Sequence, residues 1–364
     1  MKRFLLISLF LIPAVLEARP QDITYRKTIQ KDYSVSDKAQ LHLGNKYGKM
    51  VLHTWDKNEI SATIVVSGYG NSQDEARKLT DLVDIDASQA TGNGDVTIST
   101  SYNKPSRGFS SLWHLLFSGI KGGKGHVNID YDVYVPKSLR MLEVEDNYGD
   151  VIADAIPTPC DMSINYCNYN LTSITGPFVL KMNYSKGTIA RATSISLSAQ
   201  YSTLDNEQAG AINTHSSYSN YHLSTVGTFS LHSAYDQVNI DQVDDISGES
   251  DYTYYHIGKL MKSLNLNLTY GDIKVANLAP DFHSIRLKST YGGVYFGMDP
   301  KTQFRLDAHF SYGNLKTEGF SFKQVNNIRK GSESSFSGQT SGAGDLAPQI
   351  SFEGVYSNLV LKPQ

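Results

Sequence analysis

Between residues 140 and 300 the apolar positions fall into columns set by a tyrosine that returns at a nearly constant beat. Tyr148, Tyr166, Tyr184, Tyr201, Tyr218, Tyr235, Tyr252, Tyr270 and Tyr291 are separated by 18, 18, 17, 17, 17, 17, 18 and 21 residues. Six residues before them stand Leu142, Cys160, Phe178, Ile195, Ile212, Phe229, Ile246, Leu264 and Ile285. Four before them stand Val144, Met162, Leu180, Leu197, Thr214, Leu231, Gly248, Leu266 and Leu287. A second apolar pair recurs three and five residues after the tyrosine, as in Val151 with Ala153 and Val238 with Ile240. A spacing of two within each half is the period of a strand with one face buried. Between the halves, tyrosine is followed by Gly, Ser, Asp or Thr, which is turn composition.

Self-similarity at this period predicts an all-β solenoid in which each repeat packs on its neighbours. The expected fold is a single-stranded, right-handed parallel β-helix with coils of 17 to 21 residues. Each coil has two short strands meeting at a corner marked by the tyrosine. The same template fits Leu41, Leu43, Tyr47-Gly48, Met50 and Leu52 near the amino terminus. It fits again at Leu306, Tyr312-Gly313 and Leu315, and at Ile350, Phe352, Tyr356 and Leu359, which makes twelve copies. A left-handed hexapeptide helix has coils of similar length but repeats an aliphatic residue about every six positions. Here the second half of the coil is looser and shrinks, and the handedness of parallel crossovers favours the right-handed coil.

Two interruptions divide the chain. Residues 71–83 (NSQDEARKLTDLV) read as a short helix capped by Ser72, with Glu75 completing a capping box and Ala76, Leu79 and Val83 on one face. Two strand-like runs, 95–101 and 126–135, follow as a hairpin-like insertion around a loop at 103–125. That loop carries Phe109, Trp113, Leu116 and Phe117 beside Lys104, Arg107, Lys121 and Lys124. It would cap an open end of the stack or touch a membrane or partner. The second interruption, 331–345, is rich in Gly and Ser and reads as a flexible excursion. The organisation expected is thus a signal peptide over 1–18, an N-terminal coil with its insertion over 19–136, and solenoid repeats over 137–364.

With these markers the chain resembles a family of exported bacterial proteins called "putative adhesins", related to the auto-transporter adhesin head or GIN domain. The resemblance rests on residues 41–56 (LHLGNKYGKMVLHTWD), the helix at 76–83, the segment 131–136 (YDVYVP) and the recurring Tyr-Gly corners. It covers most of the mature chain. It implies a right-handed β-helix and export, and it brings no catalytic residue.

The amino terminus agrees with export. Lys2 and Arg3 precede the apolar run Phe4–Ile12, and the small residue Ala18 follows. Removing Lys2, Arg3 and Glu17 takes away two positive charges and one negative, moving the formal charge from −3 to −4. So small a net charge leaves no electrostatic footprint for nucleic acid.

Candidate chemistry is sparse. Stacked tyrosines, Tyr312 included, could offer ring faces to sugars or fill a corner of the coil. The apolar columns beside them favour a structural role, with the rings pointing inward. Asn147, Asn165 and Asn183 should form an amide ladder. His215, His232 and Glu249 fall on consecutive coils and could meet a metal or respond to pH, although exposed polar columns are usually just solvated. Asp241, Asp244, Asp245, Glu249 and Asp251 lack the spacing of a calcium loop. The only cysteines, Cys160 and Cys167, lie about 23 Å apart along an extended strand, against a limit near 7 Å between bridged Cα atoms, so a disulfide would need a sharp bend. No nucleophile motif, phosphate loop, zinc signature or paired outward carboxylates appear. The expectation is a non-catalytic, exported solenoid of the bacterial cell envelope, without cofactor or metal, binding a surface glycan or protein. Membrane contact is expected only through loop 103–125. A periplasmic module reporting envelope stress is the alternative, and a polysaccharide-binding or polysaccharide-degrading β-helix ranks third.

Overall fold

The computed structural model describes residues 23–92, 94–103, 125–344 and 346–364. The expected signal peptide and the contact residues Phe109, Trp113, Leu116 and Phe117 lie outside the described residues. Each repeat contributes one strand before its tyrosine and one after it. Met141–Asn147 and Asp150–Ile156 flank Tyr148, and Cys160–Asn165 and Asn168–Ile174 flank Tyr166. Neighbouring coils pair in parallel, and in these first repeats without slippage, so Cys160 sits level with Leu142 on one side and Phe178 on the other. Register is held because a slip of one residue would turn each apolar column outward.

The inward columns are as the spacing predicts. The six-before column from Leu142 to Ile285 is buried throughout, as is the five-after column from Ala153 to Phe296. Two further buried columns complete the interior. One lies two residues before the tyrosine (Ile164, Met182, Ala199, Leu268), and the other eight after it (Ile156, Ile174, Val226, Val243, Leu260). The apolar interior is one continuous cluster from Ala39 to Leu361. Large and small residues alternate where a column swells. A Cβ on Gly187 would lie 2.5 Å from a ring carbon of Tyr169, so the missing side chain makes room for the ring on the coil before.

The shift from 18 to 17 residues has a local cause. The longer coils carry Pro157, Pro159 and Pro177 at the corner opposite the tyrosine, and strands end there because proline has no N–H to pair. The shorter coils lack proline. Their strands Lys186–Gln200, Thr203–Ser217, Asn220–Ala234 and Gln237–Asp251 run on through that corner for 15 residues each. The step returns to 18 where Tyr254–Thr269 takes in an extra residue opposite Val243 and Asp245.

Both ends of the stack are closed by antiparallel strands. Gln40–Lys46 and Lys49–Trp55 form the first coil and pair directly with Met141–Asn147 and Asp150–Ile156. The chain between them builds the cap. Glu59–Gly70 pairs antiparallel with Ile23–Ser34 and with His126–Pro136, and Val83–Gln89 pairs antiparallel with Val96–Tyr102. Of these strands the sequence pattern predicted only those near 95–101 and 126–135. The helix Gln73–Asp81 packs on this cap with half of its expected box: Glu75 N–H donates to Ser72 Oγ at 3.1 Å, but Glu75 Oε2 accepts from Asn71 N–H at 2.9 Å, one residue before the cap. Ala76, Leu79 and Val83 are buried as their shared face requires.

The far end departs from chain order. Gln349–Val355 lies between Ser284–Thr290 and Arg305–Ser311, pairing in parallel with both. Asn358–Pro363 lies likewise between Gly293–Met298 and Leu315–Thr317. The last coil of the sequence is therefore next to last in the stack. The Gly/Ser-rich stretch is not a free excursion: Glu333–Thr340 pairs antiparallel with Arg305–Ser311 and with Phe322–Lys330. Its small polar residues suit a strand with little core beneath it. Numbered in stacking order, the coils carry Tyr47, Tyr148, Tyr166, Tyr184, Tyr201, Tyr218, Tyr235, Tyr252, Tyr270, Tyr291, Tyr356 and Tyr312.

Candidate functional site

The corner begins with the backbone. All twelve of these tyrosines have positive φ, between 47° and 67°. This left-handed conformation strains L-residues by about 1–2 kcal/mol and usually selects glycine or asparagine. A strand's alternation would point the tyrosine inward, as it does the residues two, four and six before it. The left-handed residue breaks that alternation, and the ring faces out. The inward expectation for Tyr148, Tyr166, Tyr184, Tyr201, Tyr218, Tyr235, Tyr252, Tyr270, Tyr291 and Tyr312 is thus corrected: these rings are 40–60% exposed.

The rings stack into one row. From Tyr148 to Tyr312, centroids are 4.6–5.0 Å apart and planes lie within 6° of parallel. Tyr47 joins at 5.4 Å, and Lys46 Nζ stands 5.0 Å from its ring. The spacing is that of paired strands, inherited by the side chains. Ring faces are turned on one another, leaving edges and hydroxyls outward. A flat platform for sugar faces is therefore not what this row presents.

Behind the rings runs a second row that the sequence reading passed over as turn composition. The residue after each tyrosine points inward. Ser185, Ser202, Ser219, Asp236, Thr253 and Ser357 are buried there. Ser185 N–H donates to Ser202 Oγ at 3.1 Å, Ser202 N–H to Ser219 Oγ at 3.3 Å, and Ser219 N–H to Asp236 Oδ1 at 2.8 Å. Ser202 Oγ in turn donates to the Gln200 carbonyl at 2.7 Å, and Ser219 Oγ to that of Ser217 at 2.9 Å. Each hydroxyl pairs an amide that the sharp corner would otherwise leave alone in the interior. Cys167 holds one of these positions, its Sγ 3.2 Å from the Asn165 carbonyl. Both cysteines are free and buried, and burial pushes Cys160 up to about 12 and Cys167 up to about 11. They are therefore thiols, not thiolates, at neutral pH.

Two buried acids share this corner. Asp236 accepts from Ser216 Oγ at 2.5 Å as well as from Ser219, and burial raises its pKa. Asp146 is fully buried at the join of the first two coils, with no hydrogen-bond partner for either carboxyl oxygen. Burial pushes it up to about 7.

The flanks of the ring row are polar. The amide ladder forms as expected: Asn165 Nδ2 donates to Asn147 Oδ1 at 3.1 Å, and Asn183 Nδ2 to Asn165 Oδ1 at 3.2 Å. A groove of about 510 Å³ runs along this side, lined by His215, His232, Glu249 and Asn267. The ring centroids of His215 and His232 are 6.4 Å apart, and His232 Nε2 is 4.0 Å from Glu249 Oε2. Among the described residues no three His, Cys, Asp or Glu side chains converge to hold a metal ion. Within the acidic run Asp244 instead pairs with Lys262 at 2.8 Å, and Asp245 accepts from Ser263. No helix among the described residues is long and apolar enough to cross a membrane.

No protein-family model matches the chain, and no curated protein matches it. Among solved structures it is similar to a "putative adhesin" from Parabacteroides distasonis at 11% identity, covering 74% of this chain and 97% of that one, with a TM-score of 0.36. A "putative adhesin" from Parabacteroides merdae gives 11% identity, 74% and 96% coverage and a TM-score of 0.34. A "putative lipid binding protein" from Parabacteroides distasonis gives 10% identity, 92% and 96% coverage and a TM-score of 0.27. At these identities and scores the likenesses carry no argument about function.

Proposed function

We propose that this chain is a non-catalytic, exported β-solenoid of the bacterial cell envelope that binds a surface partner through its tyrosine corner. One observation carries the reading: twelve tyrosines kept at a backbone conformation suited to glycine, most of them about half exposed in one unbroken row. Folding alone does not call for them, since the buried hydroxyl row already serves the corner. Tyrosine is also the residue most at home in recognition surfaces, with a large rigid ring and a polar tip. Export rests on the amino-terminal pattern and suits a stiff solenoid that presents a long face.

The test uses residues 19–364, fluorescently labelled, on intact bacterial cells, with immobilised surface glycans, which would need the covered ring faces, as the comparison. Saturable binding is expected, falling about ten-fold when Tyr201, Tyr218 and Tyr235 are all changed to Asn, a residue at ease in the left-handed conformation. Binding unchanged by that substitution contradicts the reading. Release of unsaturated sugars from a polysaccharide panel would overturn its non-catalytic part.

A further inference from the structure

The geometry points to a second copy of this chain as the partner of the tyrosine corner, joined ring row to ring row in antiparallel order. This inference rests on the binding face proposed above and names what covers it.

The first argument is spacing. The row repeats every 4.6–5.0 Å over most of its length. An extended peptide laid along it would present same-side residues about every 6.6 Å and fall out of step within a few rings. A glycan chain would need ring faces, and those are covered by neighbouring rings. Another stack of paired strands has the same spacing by construction, so hydroxyls and ring edges meet at every level. The second argument is area. A tyrosine buries about 150–250 Å², so the eleven rings near half exposure leave on the order of 1,000 Å² per copy, above the roughly 800 Å² per partner of a standard interface.

The third argument is charge, and it sets the orientation. Beside the rings, the residues one before and two after each tyrosine are mostly neutral: Asn165, Asn183, Gln200, Ser217 and Ala234 on one side, Thr203, Asn220 and Gln237 on the other. Charge-poor surroundings with tyrosine at the centre are the composition of a subunit contact. A twofold axis that runs the two rows in opposite directions, with full overlap, brings coil 4 level with coil 9. It also sets the two-after flank of one copy against the same flank of the other. Lys186 then faces Asp272 of the second copy, twice per dimer. Both residues are exposed, and neither has an ion-pair partner in its own chain among the described residues. Running the rows in the same direction would instead set Lys46 against Lys49 at the first coil. Like charges there disfavour that arrangement. Glu145 and Glu353, also brought level by the antiparallel axis, lie farther round the coil on the strand face.

The test is sedimentation equilibrium of residues 19–364 at about 10 µM, where micromolar association is resolved. A dimer is expected. Association should weaken at least about ten-fold in the Tyr201/Tyr218/Tyr235→Asn variant and in Lys186→Asp, and Lys186→Asp combined with Asp272→Lys should restore it. Circular dichroism of each variant checks that the strands remain. A dimer indifferent to the rings, or a charge swap that fails to rescue, overturns the inference. A monomer whose cell or glycan binding still needs the rings overturns it too, and leaves the binding face intact with a different partner. A monomer with no ring-dependent binding overturns both.

Discussion

Two rows of side chains run along the same corner, one residue apart in sequence, and they differ in almost everything else. The outer row is tyrosine on every coil, stacked throughout and exposed on all but the first. The inner row varies among Ser, Thr, Cys, Asp and Gly, is buried where it carries a hydroxyl, and satisfies the corner's amides. The inner row tolerates variety because any small group that accepts a hydrogen bond, or glycine with no side chain at all, suits the interior. The outer row tolerates none, although solvent sets no comparable demand. Uniformity where folding asks least is what the proposed contact surface would account for.

The comparison can be broken at several depths. The largest loss should follow from emptying the core that both rows lean on. Phe229 is fully buried, and Phe229→Ala should lower the unfolding free energy by about 3–5 kcal/mol in chemical denaturation. Asp146 comes next, and its effect depends on pH. Its folded pKa of about 7 lies above the 3.8 of an ordinary aspartate, so its protonated form suits the fold. The penalty of ionising it is absent below about pH 4, grows as pH rises, and is complete above about pH 7. Asp146→Asn should therefore stabilise the protein by about 2–4 kcal/mol at pH 8 and change little at pH 4, read from paired melts. Ser202→Ala should follow at about 1–3 kcal/mol, because it strands the buried Ser185 amide. Tyr201→Asn should be the mildest, at about 1 kcal/mol or less: lost ring stacking is offset by relief of left-handed strain.

That last value revises what the sequence suggests for such a tyrosine. The columns six and four before it are apolar, and alternation carried forward puts the ring inside, where its loss would resemble that of Phe229. The sign of φ is not written in a hydrophobic pattern, and tyrosine is an improbable tenant of that conformation. A signal was present all the same: a tyrosine followed on every coil by a small residue, Gly, Ser, Thr, Cys or Asp, which suits an inward position in a tight bend. The coil length, the inward columns, the asparagine ladder and the capped helix were legible because each repeats a local rule. The tyrosines at 25, 33 and 69 lack the apolar pair six and four residues before them, and the strands at 23–34, 59–70 and 83–89 fall outside the repeat, so the pattern passed over them. The insertion of Gln349–Val355 between earlier coils was hidden for another reason. Its sequence fits any gap of the right length, and only the three-dimensional edge decides which.

The most direct measurement compares Tyr201→Asn and Ser202→Ala, neighbours in the chain, by equilibrium denaturation and by binding or self-association of the same samples. The account predicts that removing one buried oxygen lowers stability more than removing an entire exposed ring. It also predicts that association weakens with loss of the ring and not with loss of the oxygen. A ring whose removal unfolds the protein more readily than the missing hydroxyl, with association untouched, would contradict it.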